Sequence, residues 1–170
     1  FEIPGDIVGA WREAGAKGAE VRKAWETRLA GLDGKVRNEF IRAMSGDLPA
    51  GWESAIQEIK SEFTADTPGQ ATRVSSGAVL EKLIGAVPEL IGGSADLTGS
   101  VNTRTPNMSA ISRDDFSGRY IHYGIREHGM AAAMNGMAQH GGVIPYAGTF
   151  LVFADYMRPA LRLSALMKQR

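Results

Sequence analysis

Apolar side chains in the first third of the chain recur every three or four residues within a charged background. The clearest examples are Val21, Trp25, Leu29, Trp52, Ile56, Ile59 and Phe63. Because this spacing places side chains on one face of a helix, it predicts short helices up to residue 63. Short helices are marginally stable alone, so we expect these to pack on a larger body. We therefore interpret residues 1–63 as a helical connecting segment.

A polar stretch separates this segment from the rest of the chain. Residues 64–70, TADTPGQ, are small and polar and place Pro68 beside Gly69. Adjacent proline and glycine are typical of a turn or linker, so we interpret residues 64–70 as a linker.

After the linker, stretches with helical spacing alternate with short apolar runs typical of buried strands. The helical stretches are residues 72–87, 126–140 and 151–170, and the strand-like runs are residues 88–96, 119–125 and 142–150. This alternation implies an α/β fold, with a parallel sheet and helices on its faces. Pro159 is expected to kink or divide the last helix, because proline lacks the amide that an interior helical position uses.

The sheet is expected to be incomplete. Three strand-like runs occur, and the last segment is still amphipathic at its final residue, without a glycine or asparagine cap. The first residue is phenylalanine and not methionine. These features predict a piece of a longer protein, in which residues 71–170 form a truncated part of a three-layer αβα domain.

Composition and charge argue against several classes of function. The chain has 170 residues, of which 44% are hydrophobic and 22% charged, as in ordinary globular proteins. Its 19 basic and 19 acidic residues give a formal net charge of +0, which argues against a broad surface for nucleic acid or an anionic membrane. The absence of cysteine excludes disulfides and thiolate chemistry and fits a cytoplasmic protein. No apolar run approaches the roughly 18 residues of a membrane span.

Glu127 is the first candidate for chemistry. It follows a strand-like run and opens an apolar helix within HYGIREHGM. A glutamate at a helix start commonly complements the helix dipole. In α/β folds, however, ligands bind beyond the carboxyl ends of strands. A carboxyl group that a ligand shields from water can share a proton with a basic nitrogen.

Other candidates have two interpretations each. Asp96 follows a strand-like run and suits a turn or a ligand contact. Arg73 lies at a helix start, the unfavourable end for a cation, and is either solvated or part of an anion clamp. Phe150, Phe153 and Tyr156 recur at a spacing of three, which suits core packing or an aromatic wall for a flat ring. The residues alone leave these alternatives open.

Metal and phosphate motifs are not recognisable in the sequence. His122, His128 and His140 are dispersed and form no HExxH pattern, so a metal site is not expected from this chain. No GxxxxGK[ST] motif occurs either.

Three long motifs resemble a single enzyme family. They are ELIGGSADLTGS, GRYIHYGIREHGMAAAMNGMAQHGG and PYAGTFLVFADYMRPALRLSALMKQ, in that order. Over about residues 70–170 the chain resembles transketolases, which depend on thiamine diphosphate. Residues 1–63 resemble the helical connection that precedes the pyrimidine-binding domain in that family. The resemblance implies that residues 71–170 are the amino-terminal part of that domain.

The resemblance also implies roles for individual residues. Glu127 matches the catalytic glutamate, which hydrogen-bonds a ring nitrogen of the cofactor's aminopyrimidine and favours its imino tautomer. Phe153, with Phe150 and Tyr156, matches the aromatic pocket around that ring. Asp96 matches an aspartate near the cofactor.

A reaction and partners follow from the same resemblance. The parent enzyme is expected to move a two-carbon ketol unit between sugar phosphates in the pentose phosphate pathway. Arg73 and Ser100 match residues that bind the substrate phosphate. The parent is expected to be a homodimer with the cofactor at the subunit interface. The family's GDG–asparagine motif is absent from the sequence, so the Mg²⁺ or Ca²⁺ is expected to be bound outside this chain.

Two alternatives remain beside a transketolase. One is a related thiamine-diphosphate enzyme, such as a dihydroxyacetone synthase or, more remotely, a deoxyxylulose-phosphate synthase. The other is a non-catalytic interaction fragment, because an incomplete sheet leaves an edge and apolar faces that invite association.

The isolated chain is predicted to have no detectable transketolase turnover and to bind thiamine diphosphate weakly or not at all. The reason is that it offers one wall of the site that the resemblance implies. Calorimetric titration with cofactor and magnesium measures this binding, and micromolar affinity would contradict the expectation.

Overall fold

The computed structural model describes residues 2–169. Its elements are α1 (Gly5–Ala16), α2 (Ala19–Ala30), α3 (Gly34–Ser45), α4 (Trp52–Asp66), α5 (Thr72–Ala86), β1 (Leu90–Ser94), α6 (Thr98–Val101), β2 (Tyr120–His122), α7 (Glu127–His140), β3 (Ile144–Pro145), a 3₁₀ turn (Leu151–Phe153) and α8 (Ala154–Leu166). The chain divides into two compact units, Phe1–Ile41 and Arg42–Arg170. The predicted domain limits at residues 63 and 70 remain predictions.

The first unit contains helices with few internal contacts between apolar side chains. Trp25 and Phe40 pack with ring centroids 6.4 Å apart, and the Arg22 guanidinium lies 5.1 Å from the Trp25 ring centroid. Trp11 is 76% exposed, and no described residue of α1 or α2 is buried. These helices are therefore amphipathic elements without a buried core of their own.

The second unit is built on a parallel sheet, as the sequence predicts. The strand order is β2–β1–β3, with β1 in the centre. Gly92 lies opposite Tyr120, and Leu90 lies opposite Ile144. Helix α7 packs on α8, and α4 packs on α5. The expected α/β class with an open parallel sheet is confirmed.

The core of this unit forms around Tyr120. Its side chain is fully buried with Ile84 and Met108, and its hydroxyl group bonds the hydroxyl groups of Thr98 (2.9 Å) and Thr103 (2.8 Å). A buried tyrosine requires such partners, because an unbonded hydroxyl group in an apolar interior is costly. The bonds tie the loop that follows β1 to strand β2.

Two glycines in β1 allow aromatic rings to lie against the strand. A Cβ atom on Gly92 would overlap the Tyr146 ring, and one on Gly93 would overlap the Tyr123 ring and lie 2.9 Å from the Ile121 carbonyl oxygen. Glycine is required here by close packing and not by backbone conformation.

One helix boundary differs from the expectation. Helix α4, expected to end at residue 63, continues to Asp66. Pro159 lies inside α8 without dividing it, and the kink remains a prediction. Residue 159 and the residue whose carbonyl loses its partner, Asp155, are both exposed, so water can satisfy that carbonyl.

Substitution of Gly93 by alanine is predicted to destabilise the protein by about 1–3 kcal/mol, because the added methyl group overlaps neighbouring atoms in a packed sheet. The matched control is Gly136→Ala in α7, where a Cβ atom meets nothing within 4 Å. That change is expected to stabilise by up to about 1 kcal/mol through helix propensity. Denaturant unfolding measures both, and equal effects would contradict the packing argument.

Candidate active site

The carboxyl ends of the strands are connected by the buried side chain of Ser94. Its hydroxyl group donates to the Gly148 carbonyl oxygen (3.0 Å) and accepts from the Leu97 amide (3.0 Å). Its carbonyl oxygen accepts from the Tyr123 amide (3.1 Å). Ser94 is completely buried. One residue therefore contacts the segments that follow all three strands.

Glu127 is the first residue of α7, and it follows β2 through a tight turn. Gly124 adopts a φ of +68° in this turn, which favours glycine. The Arg126 guanidinium donates to the Tyr123 carbonyl oxygen at 2.6 Å and so stabilises the turn itself. The turn places the Glu127 side chain in the protein interior, where the residue is only 1% exposed.

Both carboxylate oxygens of Glu127 accept hydrogen bonds from hydroxyl groups. Thr149 Oγ1 donates to Oε1 at 3.0 Å, and the Tyr156 hydroxyl group donates to Oε2. The Glu127 amide donates back to the Tyr156 hydroxyl oxygen at 2.9 Å. A buried carboxylate requires such donors, because an unpaired buried charge is strongly unfavourable.

These contacts determine the protonation of the site. The hydrogen bond from Tyr156 lowers the pKa of Glu127 and outweighs burial, which raises it; the backbone amide and Thr149 lower it further. The same bond raises the pKa of the Tyr156 phenol. The carboxyl group is therefore ionised at neutral pH, while Tyr156 keeps its proton.

An aromatic surface lies in the segment that supplies these donors. The rings of Phe150 and Phe153 are stacked, with centroids 6.3 Å apart and planes inclined by 11°. Both are partly exposed. They lie in the chain between Thr149 and Tyr156, which both contact Glu127. The segment that supplies both donors to the buried carboxylate therefore also carries an apolar surface that can stack on a flat ring.

Gly148 permits the approach of this segment to the sheet. A Cβ atom there would lie 2.6 Å from Thr103 Cγ2. The Gly148 amide donates to the Gly93 carbonyl oxygen at 3.2 Å. This backbone contact extends the pairing of β3 beyond Pro145 and fixes the position of Thr149.

The remaining predicted site residues are exposed and form no hydrogen bond with Glu127 within the described part of the chain. Asp96 occupies the turn after β1 with a φ of +62°. Arg73 is the second residue of α5, and Ser100 lies in α6. The Asn102 side-chain amide donates to the Arg73 carbonyl oxygen at 3.4 Å, which brings the end of α6 to the start of α5. No hydrogen bond or ion pair among the described residues links Asp96, Arg73 or Ser100 to Glu127.

Sequence reasoning missed Ser94 and Thr149. Both are small hydroxyl residues directly at or after a strand end, within GGSAD and AGTF. That position was the available signal, because α/β folds bind ligands there. In these two motifs the aspartate and the phenylalanine are the more obvious candidates for ligand contacts.

A cavity lies at the opposite ends of the strands. Its volume is about 760 Å³, and Leu90, Ile144 and His140 are among its lining residues. None of the predicted site residues lines it. Its size is typical of a ligand site. The carboxyl ends of the strands are the favoured candidate because they hold the buried, ionised Glu127.

Residues 2–169 show neither a metal-ligand cluster nor a helix suited to a membrane. They contain no group of three or more His, Asp or Glu side chains arranged to hold a metal ion. None of their helices combines the length and apolar character that a membrane crossing requires.

Comparisons with known proteins point to one family. A family model described as the transketolase pyrimidine-binding domain matches residues 68–170. The chain is 52% identical over 167 residues to a transketolase of Cereibacter sphaeroides, covering 98% of the chain and 25% of that protein. It is 43% identical to transketolase 1 of Aliivibrio fischeri, covering 99% of the chain and 26% of that protein.

Solved structures give the same result. The transketolase of Leishmania mexicana superposes with a TM-score of 0.84 at 37% identity, over 99% of this chain and 25% of that one. A Pichia stipitis transketolase in complex with sedoheptulose 7-phosphate superposes with a TM-score of 0.85 at 36% identity, over 99% of this chain and 26% of that one. The chain spans about a quarter of the length of these relatives.

The lowered pKa of Glu127 predicts a pH-dependent contribution to stability. Because the folded-state pKa lies below the ordinary value of 4.5, the contribution is complete above pH 4.5 and is lost as the pH falls through the folded-state value. The Glu127→Gln variant lacks this pH-dependent contribution to stability. Its free energy of unfolding is therefore expected to fall less steeply in acid than that of the wild type, as measured by denaturant unfolding. Parallel pH profiles would contradict the assignment.

Proposed function

The chain belongs to the transketolase family, and we propose that it forms the pyrimidine-binding part of an enzyme that transfers a two-carbon ketol unit between sugar phosphates. The family match over residues 68–170 supports the domain assignment. The transferase activity belongs to the whole enzyme, of which this chain corresponds to about a quarter in its relatives.

One observation carries the proposal: Glu127 is a buried, ionised carboxylate, and the two residues that bond it, Thr149 and Tyr156, flank a stacked and partly exposed pair of phenylalanines in the chain. This set of groups fits an aminopyrimidine, which is flat and carries ring nitrogens that can share a hydrogen with a carboxylate. Thiamine diphosphate, when bound, supplies the electron sink for carbon–carbon chemistry. Glu127 orients the pyrimidine and holds a proton at its ring nitrogen. Phe150 and Phe153 stack on the ring and exclude water.

The proposal assigns the substrate phosphate to Arg73 and Ser100. Arg73 is exposed in the first turn of α5, where the guanidinium group and the free amides of the helix start both favour an anion. Ser100 adds a hydroxyl donor on α6, whose end lies against the start of α5. Asp96, in the exposed turn after β1, is assigned to the surroundings of the cofactor.

A second subunit is part of the proposal. Exposed apolar side chains occur close to Glu127 in the chain and in the segment that contacts it: Ile125 is 79% exposed, Leu151 89% and Val152 71%. Large exposed apolar residues of this kind are typical of an interaction surface. We assign this surface to a homodimer in which the partner completes the cofactor site. The divalent ion, Mg²⁺ or Ca²⁺, and the diphosphate are assigned to parts of the enzyme outside this chain.

The pathway and compartment complete the proposal. Transfer between sugar phosphates belongs to the pentose phosphate pathway, and the absence of cysteine fits the cytoplasm. A dihydroxyacetone synthase is the second candidate within thiamine enzymes, and the pairing of Arg73 with Ser100 favours phosphorylated substrates over it. An assay with formaldehyde as the acceptor distinguishes the two.

Glu127→Gln in the complete enzyme is predicted to lower turnover by at least about a hundredfold, because the amide keeps the shape of the side chain but cannot hold the proton. The assay is ketol transfer from xylulose 5-phosphate to ribose 5-phosphate. The control is Glu81→Gln on an exposed position of α5, which is expected to leave turnover unchanged. Near-normal turnover of Glu127→Gln would refute the catalytic role.

A further inference from the structure

We infer that the two hydroxyl donors to Glu127 have opposite tasks: Thr149 is a positioning residue that holds Oε1, and the Tyr156 hydroxyl group occupies the place at Oε2 that the pyrimidine nitrogen takes on binding. This inference rests on the proposed function and deepens it. Its basis is the difference between how the two donors are anchored.

Thr149 is anchored to the central strand. The preceding residue, Gly148, is held at both its amide and its carbonyl group, by Gly93 (3.2 Å) and by the Ser94 hydroxyl group (3.0 Å). Ser94 is completely buried, and Thr103 leaves no space for a side chain at position 148. A displacement of the backbone at Thr149 would break hydrogen bonds at the end of β1. The backbone that carries the donor to Oε1 is therefore part of the framework.

Tyr156 is anchored far less. Its side chain is 49% exposed, and within the described part of the chain its hydroxyl group bonds only Glu127. Rotation of the ring toward solvent would break those two bonds alone. At such an open position, water or a ligand can replace both hydrogen bonds between the Tyr156 hydroxyl group and Glu127.

Access to the carboxylate requires one of the donors to move. Glu127 is 1% exposed, so no ligand atom can reach it while all its contacts persist. Tyr156 is the half-exposed contact, and Thr149 belongs to the fixed backbone framework. Departure of the Tyr156 hydroxyl group would open Oε2 to a ring nitrogen, while Thr149 keeps Oε1 in place. The ionised carboxylate and the ring nitrogen are both acceptors, so the new hydrogen bond at Oε2 requires one proton taken up from solvent. Departure of the Tyr156 hydroxyl group favours this uptake, because its hydrogen bond is the main cause of the lowered pKa of Glu127.

The two donors can be separated by substitution in the complete enzyme. Thr149→Val is nearly isosteric and removes the hydroxyl group, whereas Thr149→Ser retains it. Tyr156→Phe keeps the ring and removes the competing donor. Two readouts are taken: the infrared carboxylate band of Glu127 without cofactor, identified by subtraction of Glu127→Gln, and the Kd for thiamine diphosphate with magnesium.

Thr149→Val is expected to shift the band and to raise the Kd by roughly tenfold, the effect of one hydrogen bond to a charged group. Thr149→Ser is expected to restore both. Tyr156→Phe is expected to shift the band too, but to lower the Kd by roughly two- to tenfold, because no hydroxyl group has to be displaced.

Different results identify different failures. An unchanged band and Kd in Thr149→Val would overturn the positioning role. A Kd raised in Tyr156→Phe as much as in Thr149→Val would overturn the exchange of donors. Failure of the unsubstituted enzyme to bind thiamine diphosphate would refute the proposed function, and with it the exchange at Oε2. The infrared band would still report whether Thr149 holds Oε1, since that measurement needs no cofactor.

Discussion

The three parallel strands end at one edge of the sheet, and the Ser94 hydroxyl group joins the loops that leave β1 and β3. The candidate site depends on this contact. It fixes Gly148, whose neighbour Thr149 reaches Glu127 at the start of α7. Each link is a hydrogen bond within a buried or half-buried region. The position of one donor to Glu127 is thus connected to the end of the central strand.

Two unfavourable features coexist at this edge. A charged group is buried, and large apolar side chains such as Leu151 are exposed. The exposed apolar groups do not help the chain to fold, because exposed apolar surface opposes stability. The carboxylate is stabilised by the hydrogen bonds that lower its pKa, but its burial still has a desolvation cost. Both features are consistent with the proposal that a flat, partly apolar ligand and a second protein surface cover the aromatic residues.

The sequence predicts the local elements better than their connections. Apolar spacing and the glycine after Ser45 predict α3, and the change from strand-like to helical spacing near residue 126 predicts α7, which begins at Glu127. The order of strands is not encoded in any such local pattern, because pairing depends on segments far apart in the chain. Pro159 illustrates the same limit: its effect depends on whether solvent reaches a carbonyl group, which spacing does not reveal.

The sequence predicts which residues belong to the candidate site, but it does not predict their burial or their contacts. The motif around Glu127 indicates a ligand group, yet most carboxylates at helix starts are solvated, so its burial is a tertiary property. Thr149 and Tyr156 lie 22 and 29 residues away from Glu127 in the chain. Nothing in local spacing indicates that their hydroxyl groups converge on one side chain. Asp96, Arg73 and Ser100 are exposed, and no hydrogen bond among the described residues connects them to Glu127.

The most direct measurement is a crystal structure of the complete enzyme with thiamine diphosphate. The account predicts a pyrimidine nitrogen within hydrogen-bonding distance of the Glu127 carboxylate, the ring against Phe153, and Thr149 still bonded to Oε1. A pyrimidine bound away from Glu127, for example in the cavity at the amino ends of the strands, would contradict it.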